Sequence, residues 1–273
     1  AADLDTPVSL LLKLTKATAD SFVLESVTGG EVRGRFSIIG MDPDLIWRCK
    51  NGKSELNRQA NLNRNSFKKT KKEPLNSLRS LIEESKVDIP TDLPSSCAGL
   101  FGYLGYEMIK LVEKIPDDLP DPLNLPDSIL MRPSIIVVLD GVKGEVIVVS
   151  TGWFRKSLTA KVVYDKACSL VKNTIEALEN TTLSDSRSLL EVETKVTPHS
   201  NFTKTEYMKA VERCKEYIQA GDVFQVVPSQ RWKQHFPYPP FSLYRALRRT
   251  NPSPFMFYFN MGEFQIVGAS PEI

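Results

Sequence analysis

Short apolar runs separated by turn residues dominate the first sixty residues, and they predict β-strands. The runs at 21–26, 32–40 and 45–50 are each long enough for one strand, and residues 41–44 predict a turn between the last two. The dipeptide Asn51-Gly52 follows the third run and favours a hairpin into a further strand. This part of the chain is therefore expected to form antiparallel strands.

Further apolar runs predict strands later in the chain. Residues 134–140 and 145–151 flank a short turn with two glycines, and residues 255–260 and 263–269 flank another turn. A single apolar run at 223–229 predicts one more strand. Strands that come in clusters joined by hairpins favour antiparallel sheets over a doubly wound parallel fold, so the expected fold class is α+β.

Apolar residues at helical spacing predict the helices that pack on these sheets. The capping box of Thr203 and Glu206 starts one helix, and Gly221 ends it. Its apolar face is expected to be buried, as is that of a long helix at 156–180. The other predicted helices lie at 10–14, 75–85 and 241–250. The buried face after Thr203 is expected to consist of Tyr207, Val211, Cys214 and Ile218.

A polar stretch without sustained periodicity, residues 181–201, predicts a linker. It divides the chain into an N-terminal domain over residues 1–180 and the start of a second domain over residues 202–273. The length of 273 residues and an apolar fraction of 41% are enough for a sizeable core without disulfides.

The net charge indicates which kinds of partner to expect, and the spacing of the cysteines indicates the cellular compartment. The formal net charge of +2 gives no reason to expect nucleic acid or an anionic membrane as a partner. No run of about 18 apolar residues predicts a membrane span. The four cysteines lie far apart and outside any Cys-x-x-Cys motif, so they predict buried thiols in a reducing cytoplasm.

Polar residues inside or beside apolar strands are the candidates for chemistry. Glu25 lies in the run 21–26, Gln225 lies in the predicted strand 223–229, and Glu272 follows the last apolar run. A desolvated carboxyl group can act as a general acid, whereas an outward-facing strand residue or a loop residue is the ordinary alternative. The glycines from Gly99 to Gly105 lack the Gly-Lys-Ser/Thr of a phosphate loop and predict close packing of backbone against a sheet.

Motifs spread along the whole chain carry a family resemblance. They include Phe-Val-Leu-Glu-Ser at 22–26, Gly-Leu-Phe-Gly-Tyr-Leu-Gly-Tyr-Glu at 99–107, Ala-Gly-Asp-Val-Phe-Gln-Val-Val-Pro-Ser-Gln-Arg at 220–231, Asn-Pro-Ser-Pro-Phe-Met at 251–256 and Gly-Ala-Ser-Pro-Glu at 268–272. In this order they resemble component I of anthranilate synthase, the large, chorismate-binding subunit. The resemblance implies the fold of the chorismate-utilising enzymes.

The resemblance also implies a reaction. Chorismate and ammonia would give anthranilate and pyruvate, the first committed step toward tryptophan, with ammonia supplied by a glutamine amidotransferase subunit (component II). Glu272 is similar to the acid that protonates the departing C4 hydroxyl. Gln225 matches the position at which isochorismate and salicylate synthases carry a lysine that activates water. Since glutamine is no base and ammonia needs none, Gln225 favours amination over hydration.

Feedback inhibition by L-tryptophan is a further implication of the resemblance. Glu25 and Ser26 are expected to bind the ammonium and polar end of the amino acid, and Arg35 is a candidate for its carboxylate. The expected apolar wall for the indole consists of Pro254, Phe255 and Met256. Because these segments lie far apart in the sequence, a ligand that binds both could shift a domain arrangement.

The family's chains continue beyond the last motif, so the chain is expected to be a fragment that lacks the C-terminal half and is inactive alone. The ligands of the family's Mg²⁺ are expected after Ile273, and none within this chain. Two alternatives stay open. One is aminodeoxychorismate synthase component I, which aminates chorismate at C4, and the other is a non-catalytic module that binds tryptophan or a partner protein.

Overall fold

The computed structural model describes residues 4–15, 18–27, 34–116, 119–153, 158–183 and 197–271, and it confirms an α+β fold with antiparallel strands. All five predicted helices are present. They are α1 (Pro7–Thr15), α2 (Pro74–Glu84), α3 (Ala160–Asn180), α4 (Lys204–Ala220) and α5 (Pro240–Thr250). No helix among the described residues is long and apolar enough to cross a membrane.

The strands of the described ranges are β1 (Ser21–Glu25), β2 (Phe36–Lys50), β3 (Lys53–Asn57), β4 (Lys68–Lys69), β5 (Phe101–Leu104), β6 (Ser128–Asp140), β7 (Glu145–Ser150), β8 (His199–Ser200), β9 (Trp232–Lys233), β10 (Phe255–Asn260) and β11 (Gln265–Ser270). Two short 3₁₀ segments lie at Ser95–Cys97 and Tyr106–Leu111. Predicted hairpins are confirmed at β2–β3, β6–β7 and β10–β11.

One antiparallel sheet is built around the two long strands β2 and β6, which pair along most of their length. Strand β2 also pairs with β1 and with β3, while β6 also pairs with β5 and β7. Strand β10 lies between β1 and β11, so the end of the chain joins the sheet beside its beginning. Long central strands therefore hold together segments that are distant in sequence.

The turn predicted at 41–44 is wrong, because β2 runs through it as one strand. The register passes from Pro43 opposite Pro133 to Leu45 opposite Arg132, which leaves Asp44 as the extra residue of a β-bulge. Apolar residues on both sides of the bulge stay paired with β6, so the chain bends there without reversing.

Both faces of the sheet are covered by apolar side chains. On one face, Leu10 and Tyr244 from the helices pack with Val23 and Tyr258 from the strands. On the other face, the ring of Phe22 stacks on Phe101 with their centroids 4.8 Å apart. Side chains of neighbouring residues on a strand point to opposite faces, which explains why Phe22 and Val23 enter different cores.

The packing divides the chain into two compact units, Ala1–Ser184 with Pro240–Ile273 and Asp185–Pro239. The first boundary falls within the predicted linker, but β10 and β11 belong to the first unit. The predicted division into an N-terminal domain over 1–180 and a second domain from 202 stays a prediction.

The second unit confirms the predicted helix ends but not the predicted burial. In α4 the amide of Glu206 donates to the Thr203 hydroxyl at 3.2 Å, the amide of Thr203 donates to the Glu206 carboxylate at 2.8 Å, and Gly221 ends the helix at φ 81°. No described side chain of this unit is buried, so the expected buried face of α4 is wrong. The strand predicted at 223–229 is absent from the described fold, and Phe224 is fully exposed.

Burial was also overestimated for α3 and for the cysteines. Only Thr174 of α3 is buried. The helix packs on α1 and β7 with one side, whereas Tyr164 on another side is exposed. Cys49 and Cys97 are buried as predicted, whereas Cys168 is exposed.

Candidate functional site

The pairing of β1 with β10 brings together two of the segments that the sequence singled out. Glu25 lies directly opposite Met256 in the antiparallel register, and the amide of Val27 donates to the carbonyl of Ser253 at 3.1 Å. Directly opposite residues of an antiparallel pair send their side chains to the same face. The carboxylate of Glu25 and the thioether of Met256 therefore lie on one side of the sheet.

Glu25 is a buried carboxylate with two donors from α5. Arg248 Nε donates to Glu25 Oε1 at 2.7 Å, and the Tyr244 hydroxyl donates to the same oxygen. Only 2% of the Glu25 side chain is exposed, compared with 33% of the Arg248 side chain. Tyr244 and Arg248 are one helical turn apart and so lie on one face of α5. A buried carboxylate needs such a counter-charge, because an unpaired one would be strongly destabilising.

The surroundings of this cluster raise the pKa of both donors. Burial, followed by the negative charge of Glu25, raises the pKa of Tyr244 well above its ordinary value. The hydrogen bond to Glu25 raises the pKa of Arg248. Tyr244 is therefore a neutral donor and Arg248 a permanent cation at physiological pH, and the cluster is compensated in charge.

Sequence reasoning found Glu25 but missed Tyr244 and Arg248. The outward-facing alternative for Glu25 is excluded by its burial. A signal for its partners was present, since Tyr244 and Arg248 are spaced i, i+4 in a predicted helix whose apolar face includes Tyr244. A carboxylate among apolar strand residues requires a cation from some element, but the sequence does not say which.

The other predicted residues near this cluster occupy different positions. Ser26 follows β1 and is half-buried, and its Oγ lies 3.0 Å from where a Cβ at Gly34 would stand. Pro254 is half-buried, and Phe255 is 48% exposed. Because Phe255 and Met256 are neighbours on a strand, they point to opposite faces. Of the expected apolar wall, Met256 shares the face of Glu25.

Arg35 lies at a different ion pair. Its Nε donates to both carboxylate oxygens of Asp140 at 3.0 Å, and its Nη2 lies 2.6 Å from Asp140 Oδ2. This bidentate pair ties the start of β2 to the end of β6. A role for Arg35 in binding a ligand carboxylate stays a prediction and would require it to exchange this partner.

The Arg35–Asp140 pair predicts a loss of stability in acid. The hydrogen bond from Arg35, with backbone amides of Lys143 and Val142, lowers the pKa of Asp140 to about 2. The unfolded chain takes up this proton near pH 4, so the stability that Asp140 contributes is present above that pH and lost as the pH falls toward 2. Urea unfolding between pH 2 and 6 should show this loss in the wild type and a flatter profile in Asp140→Asn.

The matched control for this pH dependence is Asp92→Asn, which removes an exposed carboxylate. It should leave the acid profile of the wild type unchanged. Parallel profiles for Asp140→Asn and the wild type would contradict the assignment of the acid loss to this pair.

The two predicted catalytic residues are not placed in a common site by the described structure. Gln225 is exposed, in a segment of the second unit that is neither helix nor strand. Glu272 lies outside the described residues. Their roles stay predictions. Within the described ranges no group of three or more His, Cys, Asp or Glu could hold a metal ion. The Mg²⁺ that the resemblance implies, with its ligands after Ile273, stays a prediction.

Comparison with known proteins defines the class of this chain. The family model described as chorismate binding enzyme matches residues 35–273, so the chain belongs to the family of chorismate-binding enzymes. It is similar to anthranilate synthase component 1 of Cereibacter sphaeroides, with 57% identity over 272 residues that cover 100% of this chain and 54% of that protein. The corresponding protein of Synechocystis sp. is 35% identical over 283 residues, with the same coverage.

A solved structure supports the fold. The crystal structure of anthranilate synthase component I from Streptococcus pneumoniae TIGR4 superposes with a TM-score of 0.70 at 24% identity, over 99% of this chain and 56% of that chain. The chain thus spans about half the length of the curated relatives that it matches. The resemblance found in the sequence motifs is confirmed.

Proposed function

We propose that this chain is part of an enzyme that converts chorismate and ammonia to anthranilate and pyruvate. The observation that carries the proposal is the 57% identity over 272 residues to a protein named anthranilate synthase component 1. The family match to chorismate-binding enzymes supports chorismate as the substrate. Formation of anthranilate would place the enzyme in tryptophan biosynthesis, in the cytoplasm.

The proposed reaction balances with one water as the third product. The nitrogen of ammonia bonds to C2 of chorismate while the C4 hydroxyl leaves, protonated by Glu272 as a neutral carboxylic acid. Loss of the C2 proton and cleavage of the enolpyruvyl ether then give pyruvate and the aromatic ring. General acid catalysis of this kind contributes about 10²–10⁴-fold in rate. Gln225 cannot remove a proton from water, which supports amination over hydration.

The partners of the reaction are part of the proposal. A glutamine amidotransferase subunit would release the ammonia, so that the nucleophile does not depend on free ammonium. Mg²⁺ would neutralise a carboxylate of chorismate, with ligands other than the residues described here. The chain of 273 residues is expected to be inactive alone, since its relatives are nearly twice as long.

We also propose that L-tryptophan binds at Glu25 as an inhibitor. The register that puts Glu25 opposite Met256 supports this, because it sets a buried anion beside an apolar side chain. An amino acid with an apolar side chain presents the complementary pair, an ammonium group and an apolar body. Ser26, at the end of the same strand, would bind the polar end of the ligand.

A steady-state assay tests both proposals on a protein in which this chain continues to the length of its relatives. With chorismate and ammonium, the protein should form fluorescent anthranilate together with pyruvate, and L-tryptophan should inhibit it. Glu272→Gln should lower kcat by about 100-fold or more, because the leaving hydroxyl loses its acid. Ser26→Ala should raise the tryptophan concentration for half-inhibition by about tenfold, which corresponds to one lost hydrogen bond.

Three other outcomes would contradict all or part of the two proposals. Accumulation of 4-amino-4-deoxychorismate instead of anthranilate would assign the chain to aminodeoxychorismate synthase. Binding of tryptophan with no turnover of chorismate would indicate a non-catalytic module. Anthranilate formation without any response to tryptophan would support the proposed reaction and contradict the proposed inhibitor site.

A further inference from the structure

We propose that Arg248 acts as a gate at Glu25. The guanidinium group of Arg248 binds the Glu25 carboxylate until the ammonium group of an incoming amino acid displaces it. The inference rests on the proposed tryptophan site, and it adds a residue that the sequence motifs do not contain. The contact that carries it is the hydrogen bond from Arg248 Nε to Glu25 Oε1 at 2.7 Å.

The burial of the three side chains decides which group a ligand meets. Tyr244 is completely buried, and the Glu25 side chain is 2% exposed, whereas the Arg248 side chain is 33% exposed. A ligand that approaches from solvent can therefore reach the carboxylate where Arg248 covers it. Tyr244 holds the same oxygen from the interior and does not obstruct this approach.

Electrostatic repulsion prevents the ammonium group of the ligand and the guanidinium group of Arg248 from binding Glu25 at the same time. A buried carboxylate is stabilised by one counter-charge, and a second cation at the same distance would repel the first in a poorly screened environment. The ammonium of the ligand and the guanidinium of Arg248 therefore bind Glu25 in turn. Because the exchange replaces one positive charge by another, the carboxylate is never left unpaired.

The position of Arg248 connects this exchange to the rest of the first unit. Arg248 lies in the last turn of α5, and residues 251–254 lead from that helix into β10. Within this connection the Ser253 hydroxyl donates to the carbonyl oxygen of Ser270, two residues before Glu272 in the sequence. This connection is the path along which release of Arg248 would act on the segment with the predicted acid.

Calorimetric titration with L-tryptophan tests the gate in the protein in which this chain continues to the length of its relatives. In Arg248→Gln, Glu25 loses its internal cation, so the ligand ammonium no longer has to displace one, and the affinity should rise about tenfold. The matched control is Arg249→Gln, which removes the neighbouring, exposed arginine of the same helix and should leave the affinity unchanged. Indole-3-propionate, which lacks the ammonium group, should gain no affinity from Arg248→Gln.

The outcomes separate the gate from the site itself. If the wild type binds tryptophan and Arg248→Gln binds it equally or more weakly, Arg248 is no gate, and the inhibitor site stands. If neither protein binds tryptophan while circular dichroism shows both folded, the site and the gate are both overturned. Should Arg248→Gln fail to fold, Arg248→Lys provides the test. It keeps the charge but loses the Nε donor, so a rise of about threefold supports the gate and no rise overturns it.

Discussion

Replacing Asp44 by asparagine is expected to lower the free energy of unfolding by about 3–5 kcal/mol, because it leaves Arg132 as an uncompensated buried cation. Arg132 Nε and Nη2 donate to the two carboxylate oxygens of Asp44 at 2.8 and 2.7 Å, and both side chains are at least nine-tenths buried. The guanidinium also stacks 3.9 Å from the centre of the Trp153 ring, which fixes it at this place. Urea unfolding followed by circular dichroism measures the loss.

The matched control is Glu55→Gln, which removes the carboxylate of a partly exposed ion pair with Arg48 elsewhere on β2. Exposed pairs contribute at most about 1 kcal/mol, so this variant should be nearly as stable as the wild type. The double variant Asp44→Leu with Arg132→Met should recover part of the loss, since apolar residues can replace a buried pair. Equal stability of Asp44→Asn and Glu55→Gln would show that the buried pair contributes no more than a surface one.

The second large effect is expected at Gly102, where alanine should cost more than about 3 kcal/mol. Gly102 has φ 156°, and a Cβ there would lie 1.9 Å from the carbonyl oxygen of Ile129 in the neighbouring strand. The backbone of β6 would have to move, which would break its pairing with β5. Thermal unfolding of the variant should show a correspondingly lower Tm.

Gly144→Ala separates this clash from the conformational strain of a glycine position. Gly144 has φ 64°, and a Cβ at this residue would meet no other atom within 4 Å, so its replacement should cost only about 1 kcal/mol. A Gly102→Ala variant no less stable than Gly144→Ala would show that β5 and β6 can separate without loss. The prediction that the glycines at 99–105 serve close backbone packing is confirmed for Gly102 and for Gly105, where a Cβ would lie 2.6 Å from the carbonyl oxygen of Asp127. It is wrong for Gly99, where a Cβ would meet only a side-chain atom of Phe101 at 3.8 Å.

The sequence was informative where a structure depends on neighbouring residues. The Thr203 capping box and the αL glycine at Gly221 set the ends of α4, and both need only the residues of one helix. The Asn51-Gly52 hairpin is confirmed for the same reason, since both residues adopt positive φ and the strands on either side are continuous with the turn.

Prediction was wrong where an apolar pattern needs a partner from elsewhere. The segment 223–229 has the composition of a strand, but its backbone forms no ladder with any described strand. Residues 41–44 have the composition of a turn, but the long pairing of β2 with β6 keeps them in one strand that contains a bulge. The composition of a segment gives its tendency to form a strand, and pairing with another strand decides whether that strand forms.

What the sequence alone determined about this protein is its class, the positions of its helices and most of its strands, and the family to which its motifs point. Only the tertiary structure decided how Glu25 is compensated, because its partner Arg248 lies 223 residues away in the chain. It likewise decided that Arg35 binds Asp140, 105 residues away. Local signals fix helix caps and turns because those involve a few neighbouring residues, whereas the pairing of a buried charge depends on which distant strands and helices the sheet brings into contact.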